Sequence, residues 1–309
     1  MGTQLRASKM SIEKKDMKSH EPAAPPTYSK TPMFAAAHAI RYQRQQLIRE
    51  IQEETNTTLL CYVGGAGTSV GRDDAVFFGD LLHNVRRGNP IDLLLHTGGG
   101  DIDAAEKLMS MLSDTAGTAP LRVIVPDYAK SAGTLMALGA NSIIMSDSSE
   151  LGPIDPQIET QDSDGRISVV AVQNHLDAYK ECFELVNRDP DNKAAQIMLK
   201  TFDASRIHKY RAAQARAKQL AEKMLKSRMF RDEQYQPTAP VTALMDNTKY
   251  QSHGQMIGIN EAKGISLKVD SRTPDDPLWR KFWQLYCYQR MGITDETKLF
   301  ESEVASLMS

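Results

Sequence analysis

Two short segments of the sequence combine the residue types that acyl-transfer chemistry needs. The first, Ala129-Lys130-Ser131-Ala132-Gly133, follows an apolar run and opens a stretch of small residues. A serine at the start of a helix feels the positive end of the helix dipole, which favours its alkoxide, and the N–H of the next residue can donate to a developing oxyanion. The same position is where serines ordinarily cap helices, so local sequence leaves Ser131 as either a nucleophile or a cap. The second segment, His96-Thr97-Gly98-Gly99-Gly100-Asp101, is again an apolar strand running into small residues and then a helix. Glycines at a strand's C-terminal end let backbone N–H groups turn outward toward an oxyanion. The same pattern also suits a plain strand-to-helix turn or a phosphate cradle. It lacks the spacing of a dinucleotide fingerprint, and no lysine follows as in a P-loop.

The elements around these segments must bring them together. Apolar runs at 58–63, 91–95, 121–125 and 142–145 read as strands, and helices are predicted at 73–86, 104–112 and 131–138. Strand and helix alternating this closely implies crossover connections, hence an α/β fold with a mainly parallel sheet. Neighbouring parallel strands would place both glycine and serine elbows at one edge. Ile40, Leu47, Ile48 and Ile51 recur at helical spacing within 33–54 and predict an amphipathic helix. Beyond Ile154 the pattern turns mostly helical, with helices predicted at 172–186, 193–199 and 204–229. Residues 1–32 are polar and proline-rich and read as a flexible tail. The main domain is placed at 33–270, with a core at 57–187 and a helical extension at 188–270, followed by a C-terminal helical segment at 271–309.

Composition excludes several classes of function. The 309 residues carry a formal net charge of -2, which provides no field to draw nucleic acid or anionic membrane. Three widely spaced cysteines without histidine companions argue against a zinc module and fit a reducing compartment. The start, MGTQLR, has Arg6 where a myristoylation signal has Ser or Thr. No apolar run reaches the ~20 residues of a membrane span and no apolar segment follows the basic N-terminus, so a cytoplasmic location is expected. No cofactor and no metal are expected either, because no carboxylate pair and histidine stand together.

Three ordered blocks, HTGGGDIDAAEKLMSML, AKSAGTLMALGANSIIM and SELGPIDPQI, resemble the superfamily of Clp protease, crotonase and signal peptide peptidase A. The GPIDPQ run is similar to the serine dehydrogenase proteinase branch, and HGQMIGINEAKGISLKV to the family's closing segment. The resemblance implies repeated ββα units, acyl-enzyme hydrolysis of a peptide or protein substrate, and homo-oligomeric assembly. Ser131 matches the family nucleophile, and Gly99, Gly100 and Ala132 match the backbone donors of the oxyanion hole. One departure is that the commoner SPGG reads here as Thr97-Gly98-Gly99-Gly100.

The resemblance leaves the general base open. A Clp-style triad needs a histidine soon after the next strand, and no histidine stands between His96 and His175. The signal peptide peptidase A branch uses a lysine several dozen residues downstream, which must be desolvated to act as a neutral base. Lys180 is the best match, with Val172, Leu176, Tyr179 and Phe183 as the apolar side of its helix. Lys130, His175 and His253 are the other candidates, and Asp155 reads as a turn residue. The leading expectation is therefore an ATP-independent Ser131/Lys180 peptidase. The alternatives are a thioester-processing crotonase-like enzyme and a catalytically degenerate scaffold that binds peptides.

Overall fold

The computed structural model describes residues 31–161, 164–231, 238–250 and 252–309. The flexible tail predicted over 1–32 lies outside these residues except for its last two positions. The chain forms two compact units. The first contains α1 (Pro32–Ala37), a short helix started by Pro32, whose fixed φ suits a first helical turn. The amphipathic helix predicted over 33–54 is thus two helices, the second being α2 (Ala39–Thr55).

The larger unit, Ile40–Ser309, is an α/β fold as the sequence predicts. Along the chain it runs β1 (Thr58–Gly64), α3 (Asp74–His83), β2 (Ile91–His96), α4 (Ile102–Ala116), β3 (Leu121–Val125), β4 (Tyr128–Ala129), α5 (Ala132–Leu138), β5 (Ser142–Met145) and β6 (Glu150–Leu151). There follow β7 (Gln157–Gln161), β8 (Ile167–Ala171), α6 (Val172–Arg188), α7 (Lys193–Lys200), α8 (Ala204–Ser227) and α9 (Thr238–Leu244). The chain closes with α10 (Ile259–Gly264), β9 (Val269–Ser271), α11 (Pro277–Met291), β10 (Lys298–Glu301) and β11 (Ser306–Met308).

The main sheet has the order β11-β10-β1-β2-β3-β5-β9. Strands β1, β2, β3, β5 and β9 are parallel, and β10 and β11 are each antiparallel to their neighbour. Alternation along β1 shows why the central strands read as unbroken apolar runs. Leu59, Cys61 and Val63 face a core made with α2 and α11, whereas Leu60 and Tyr62 face a second core made with α3, α4, α5 and α8. Strands covered on both faces need apolar side chains at every position.

Two elements depart from the sequence reading. The segment 271–309 is not only helical: after α11 it supplies β10 and β11, which cover the edge of β1 that would otherwise lie open. These strands are four and three residues long, too short for period-two alternation to show. The region after Ile154 begins with the hairpin β7–β8 before turning helical. Its signal was the Asp164-Gly165 pair, where Gly165 has φ 80°, a turn conformation that glycine adopts without steric penalty.

Candidate active site

A second, smaller strip of backbone pairing lies beside the main sheet and organises the site. Thr97 bridges Ala129 in parallel, Ala129 pairs with Leu151 in parallel, and Leu151 bridges Ile257 in antiparallel fashion. The strip is closed by the Thr97 N–H donating to Tyr128 O at 3.1 Å and the Lys130 N–H donating to Thr97 O at 3.0 Å. A ββα unit results, in which β3 joins the main sheet, β4 joins the strip and α5 returns. Because of the strand directions, the residues after Thr97, after Ala129 and after Leu151, and those before Ile257, all emerge at one end. These are Gly98–Gly100, Ser131, Gly152–Asp155 and His253–Gln255.

At this end the chain turns sharply at Ser131, with φ 50° and ψ -115°. A non-glycine residue at positive φ is strained by order of 1–3 kcal/mol and persists only where its surroundings hold it there. Ser131 stands at the N-cap position of α5 but makes no side-chain capping bond. The hydroxyl therefore does not do the ordinary job of a serine at a helix start. Gly99, at φ 107°, packs directly on this elbow: a Cβ there would lie 2.7 Å from Ser131 Cβ and 3.2 Å from Ala132 N. Gly133 is likewise required, since a Cβ would lie 2.6 Å from Thr97 Cγ2.

Of the three residues that the sequence matches to oxyanion donors, Ala132 opens α5, where an N–H has no intrahelical acceptor. The Gly99 N–H donates to Thr97 Oγ1 at 3.1 Å. Gly100, at φ 145°, is flanked by Val70: the Val70 N–H donates to Gly99 O at 2.7 Å and the Asp101 N–H donates to Val70 O at 2.9 Å. Asp101 caps α4 by accepting from the Asp103 and Ala104 N–H groups. Gly99 and Ala132 thus adjoin Ser131, while Gly100 packs against Val70 on the next turn of the loop.

The four candidate bases fall in different settings. Lys180 lies on α6 with 72% of its side chain exposed, 3.8 Å from Glu184 one turn away. The desolvation that a neutral lysine base requires is not supplied there, and Phe183 on the same helix is itself 46% exposed. His175, half-buried on α6, packs edge-on against the rings of Phe202 and Tyr210. The Lys130 ammonium is taken up by Leu151 O, Gln255 O and Gly254 O at 3.1, 3.2 and 3.3 Å, and by Glu150 at 2.9 Å. With three N–H donors facing four acceptors, it staples the strip together across β6. His253 makes the contact that sequence reasoning did not foresee: its Nδ1 lies 2.7 Å from Asp155 Oδ1, and Gln157 donates to the other Asp155 oxygen at 2.7 Å. Asp155 is buried, and it does more than shape the turn as a turn residue would. Nothing in the linear pattern links positions 155 and 253, which meet only through the Leu151–Ile257 bridge.

Behind the glycine elbow, His96 is buried between the rings of Tyr128 and Tyr286. Burial pushes its imidazole from the usual 6.5 down to about 3, helped by the Arg290 charge. The ring is neutral at physiological pH, so its 3.7 Å approach to Asp127 is no ion pair; Asp127 instead accepts from the Tyr286 hydroxyl at 2.7 Å. Because the native ring binds its proton far more weakly than the unfolded one, stability is complete above the unfolded value near 6.5 and is lost as pH falls toward 3. Chemical denaturation between pH 6 and pH 4 is expected to show this loss at about 1.4 kcal/mol per pH unit. His96→Phe, which cannot take up a proton, is expected to flatten that slope.

The profile of the ClpP-like SDH-type serine proteinases matches residues 79–243, just over half of the chain. The chain belongs to this family. The matched span contains both elbows and Lys180 but neither His253 nor the closing strands. A protein of Methanocaldococcus jannaschii described as uncharacterised is 27% identical over 255 residues, 77% of each chain. A second uncharacterised protein of that organism is 35% identical over 126 residues, 38% of this chain and 42% of its own. Among solved structures, ClpP1 from Listeria monocytogenes aligns over 76% of this chain and 99% of its own, at 15% identity and a TM-score of 0.37. The 1510-N membrane-bound stomatin-specific protease aligns over 47% and 69%, at 19% identity and a TM-score of 0.29. Like the sequence blocks, the family match identifies a ClpP-like serine proteinase. Among the described residues, no helix is long and apolar enough to cross a membrane.

Proposed function

We propose that this family member is a serine peptidase that cleaves peptide bonds without ATP, through an acyl-enzyme on Ser131. The observation that carries the reading is the Ser131 elbow: a strained serine that caps nothing, with Gly99 and the Ala132 N–H packed against it. In the reaction, Ser131 Oγ attacks the scissile carbonyl carbon and gives its proton to a base. The carbonyl oxygen takes the electron pair and is held by the N–H groups of Ala132 and Gly99, the latter exchanging Thr97 Oγ1 for the oxyanion. Collapse expels the amine, which takes the proton, and water then hydrolyses the ester by the same route.

Two groups compete for the role of base. Lys180 follows from the resemblance; its 72% exposure in the single chain counts against it, unless a second copy covers α6. Exposed Phe183, Ile197 and Met198 on α6 and α7 support such self-association. The observation favouring His253 is its bond to buried Asp155, which fixes Nδ1 as the donor and leaves Nε2 as a proton acceptor. Its neighbours Gly254 and Gln255 are anchored by the residue adjoining the nucleophile.

The test is labelling of the purified full-length chain with a fluorophosphonate, together with hydrolysis of an unfolded protein substrate without nucleotide. One label on Ser131 with matching loss of hydrolysis is expected. His253→Ala is expected to slow both by ~10²-fold or more, whereas Lys180→Ala is expected to change neither; the reverse pattern would assign the base to Lys180. Complete absence of labelling and cleavage would leave the scaffold reading, and labelling with turnover of thioesters alone would favour the crotonase-like one.

A further inference from the structure

Val70 lies in a loop far from Ser131 in sequence, yet it forms one wall of the glycine elbow, and the way it is held is unusual. Its N–H and C=O both face the elbow, bonding Gly99 O and the Asp101 N–H. The polar groups on either side of it face the opposite way. The Gly71 N–H donates to Asp74 Oδ2 at 2.9 Å, and Ser69 O accepts from Lys298 Nζ at 3.2 Å. Asp74 and Lys298 are themselves an ion pair, and the Tyr62 hydroxyl adds a 3.0 Å bond to the same carboxylate. Asp74 is 1% exposed and Lys298 17%. Residues 69–71 are therefore gripped on one edge by a buried ion pair and apply their other edge to the oxyanion loop. The fit is tight, since a Cβ on Gly100 would lie 2.5 Å from Val70 N.

We infer that Asp74 and Lys298 are positioning residues that set the aim of the Gly99 and Gly100 backbone toward Ser131. The inference rests on the reading of Ser131 as nucleophile. The pair touches no reacting atom and works through a line of contacts running from β10 and α3 to residues 69–71, then to residues 99–101, and then to the elbow. Oxyanion stabilisation depends on donors held where charge develops, and a misplacement near 1 Å can reduce the rate ~10²-fold. Such a loss falls on the transition state and not on substrate binding, so kcat should fall while KM stays put.

The experiment compares Lys298→Met, Lys298→Arg and the double variant Asp74→Asn/Lys298→Met in the full chain. Lys298→Met is expected to lower kcat about 10-fold or more with KM within about 2-fold, and to slow fluorophosphonate labelling of Ser131 in parallel. Lys298→Arg, which keeps the charge and a donor for Ser69 O, is expected to recover most of both. The double variant removes the pair without leaving a lone buried charge and is expected to fold yet stay slow. Hydrogen exchange at the Val70 and Asp101 amides is expected to accelerate while the amides of β2 and β3 stay protected. Wild-type kcat and labelling in the folded double variant would overturn the inference. So would variants that merely unfold, because the pair would then be a structural one. A wild-type chain that neither labels nor cleaves sinks the peptidase reading instead, and in that case unchanged exchange at Val70 and Asp101 separately rejects the grip on the loop.

Discussion

Ser131→Ala is expected to abolish peptide hydrolysis, lowering kcat by ~10⁴-fold or more, and to leave the stability of the fold intact. The first half follows from removing the atom proposed to form the acyl bond, with the residual rate coming from oxyanion stabilisation and binding. The second half is the more discriminating. If Ser131 were the helix cap that its position suggests, truncation would cost roughly 1 kcal/mol. Its hydroxyl makes no capping bond, so alanine should cost almost nothing. Ser131→Gly should go further and stabilise the chain by ~1 kcal/mol, because glycine relieves the strain of φ 50°. Activity lost with stability gained is the signature of a site that holds its nucleophile against local preference. Peptidase assays and urea unfolding of the two variants check both halves, and a destabilised Ser131→Ala that keeps near-wild-type turnover would return Ser131 to the role of a cap.

Gly99→Ala is expected to damage both the site and the fold, lowering kcat by ~10²-fold or more and stability by ~2 kcal/mol or more. The backbone there has φ 107°, which an alanine adopts only under strain. The new methyl would lie 2.7 Å from Ser131 Cβ and 2.9 Å from Lys130 O. Neither neighbour can yield, because Lys130 is itself bonded to Thr97 O through its N–H and to the strip through its ammonium. The elbow would have to open, carrying Ser131 away from the Ala132 N–H. Gly98→Ala is the control: nothing lies within 4 Å of a Cβ there, so activity and stability should stay close to wild type, within about 0.5 kcal/mol. Measured kcat and thermal midpoints of the two variants separate a steric effect at Gly99 from general loop stiffening, which would affect both alike.

Much of this was legible along the chain. The strands at 58–63, 91–95, 121–125 and 142–145 announce themselves because parallel strands covered on both faces must be apolar throughout, and β1, β2, β3 and β5 fall there. The glycine and serine elbows were visible as small residues directly after such strands, and the three motif blocks tied them to one family. The edge strands β10 and β11 and the hairpin β7–β8 were not, because short strands take their register from the partner they pair with and not from their own alternation.

By itself, the sequence determined that Ser131 and Gly98–Gly100 end neighbouring α/β units and meet, since local propensity and crossover topology suffice for that. Only the tertiary structure decided what surrounds them. It replaced the capping role of Ser131 with a strained elbow, left Lys180 exposed beside Glu184, and joined His253 to Asp155 across the Leu151–Ile257 bridge. It also brought Lys298, close to the C-terminus, onto Asp74 beside the loop that packs against Gly99–Gly100. The physical reason is common to all of these. Burial, charge pairing and backbone aim are properties of contacts between distant segments, and the linear pattern encodes which faces must be buried but not which partner will cover them.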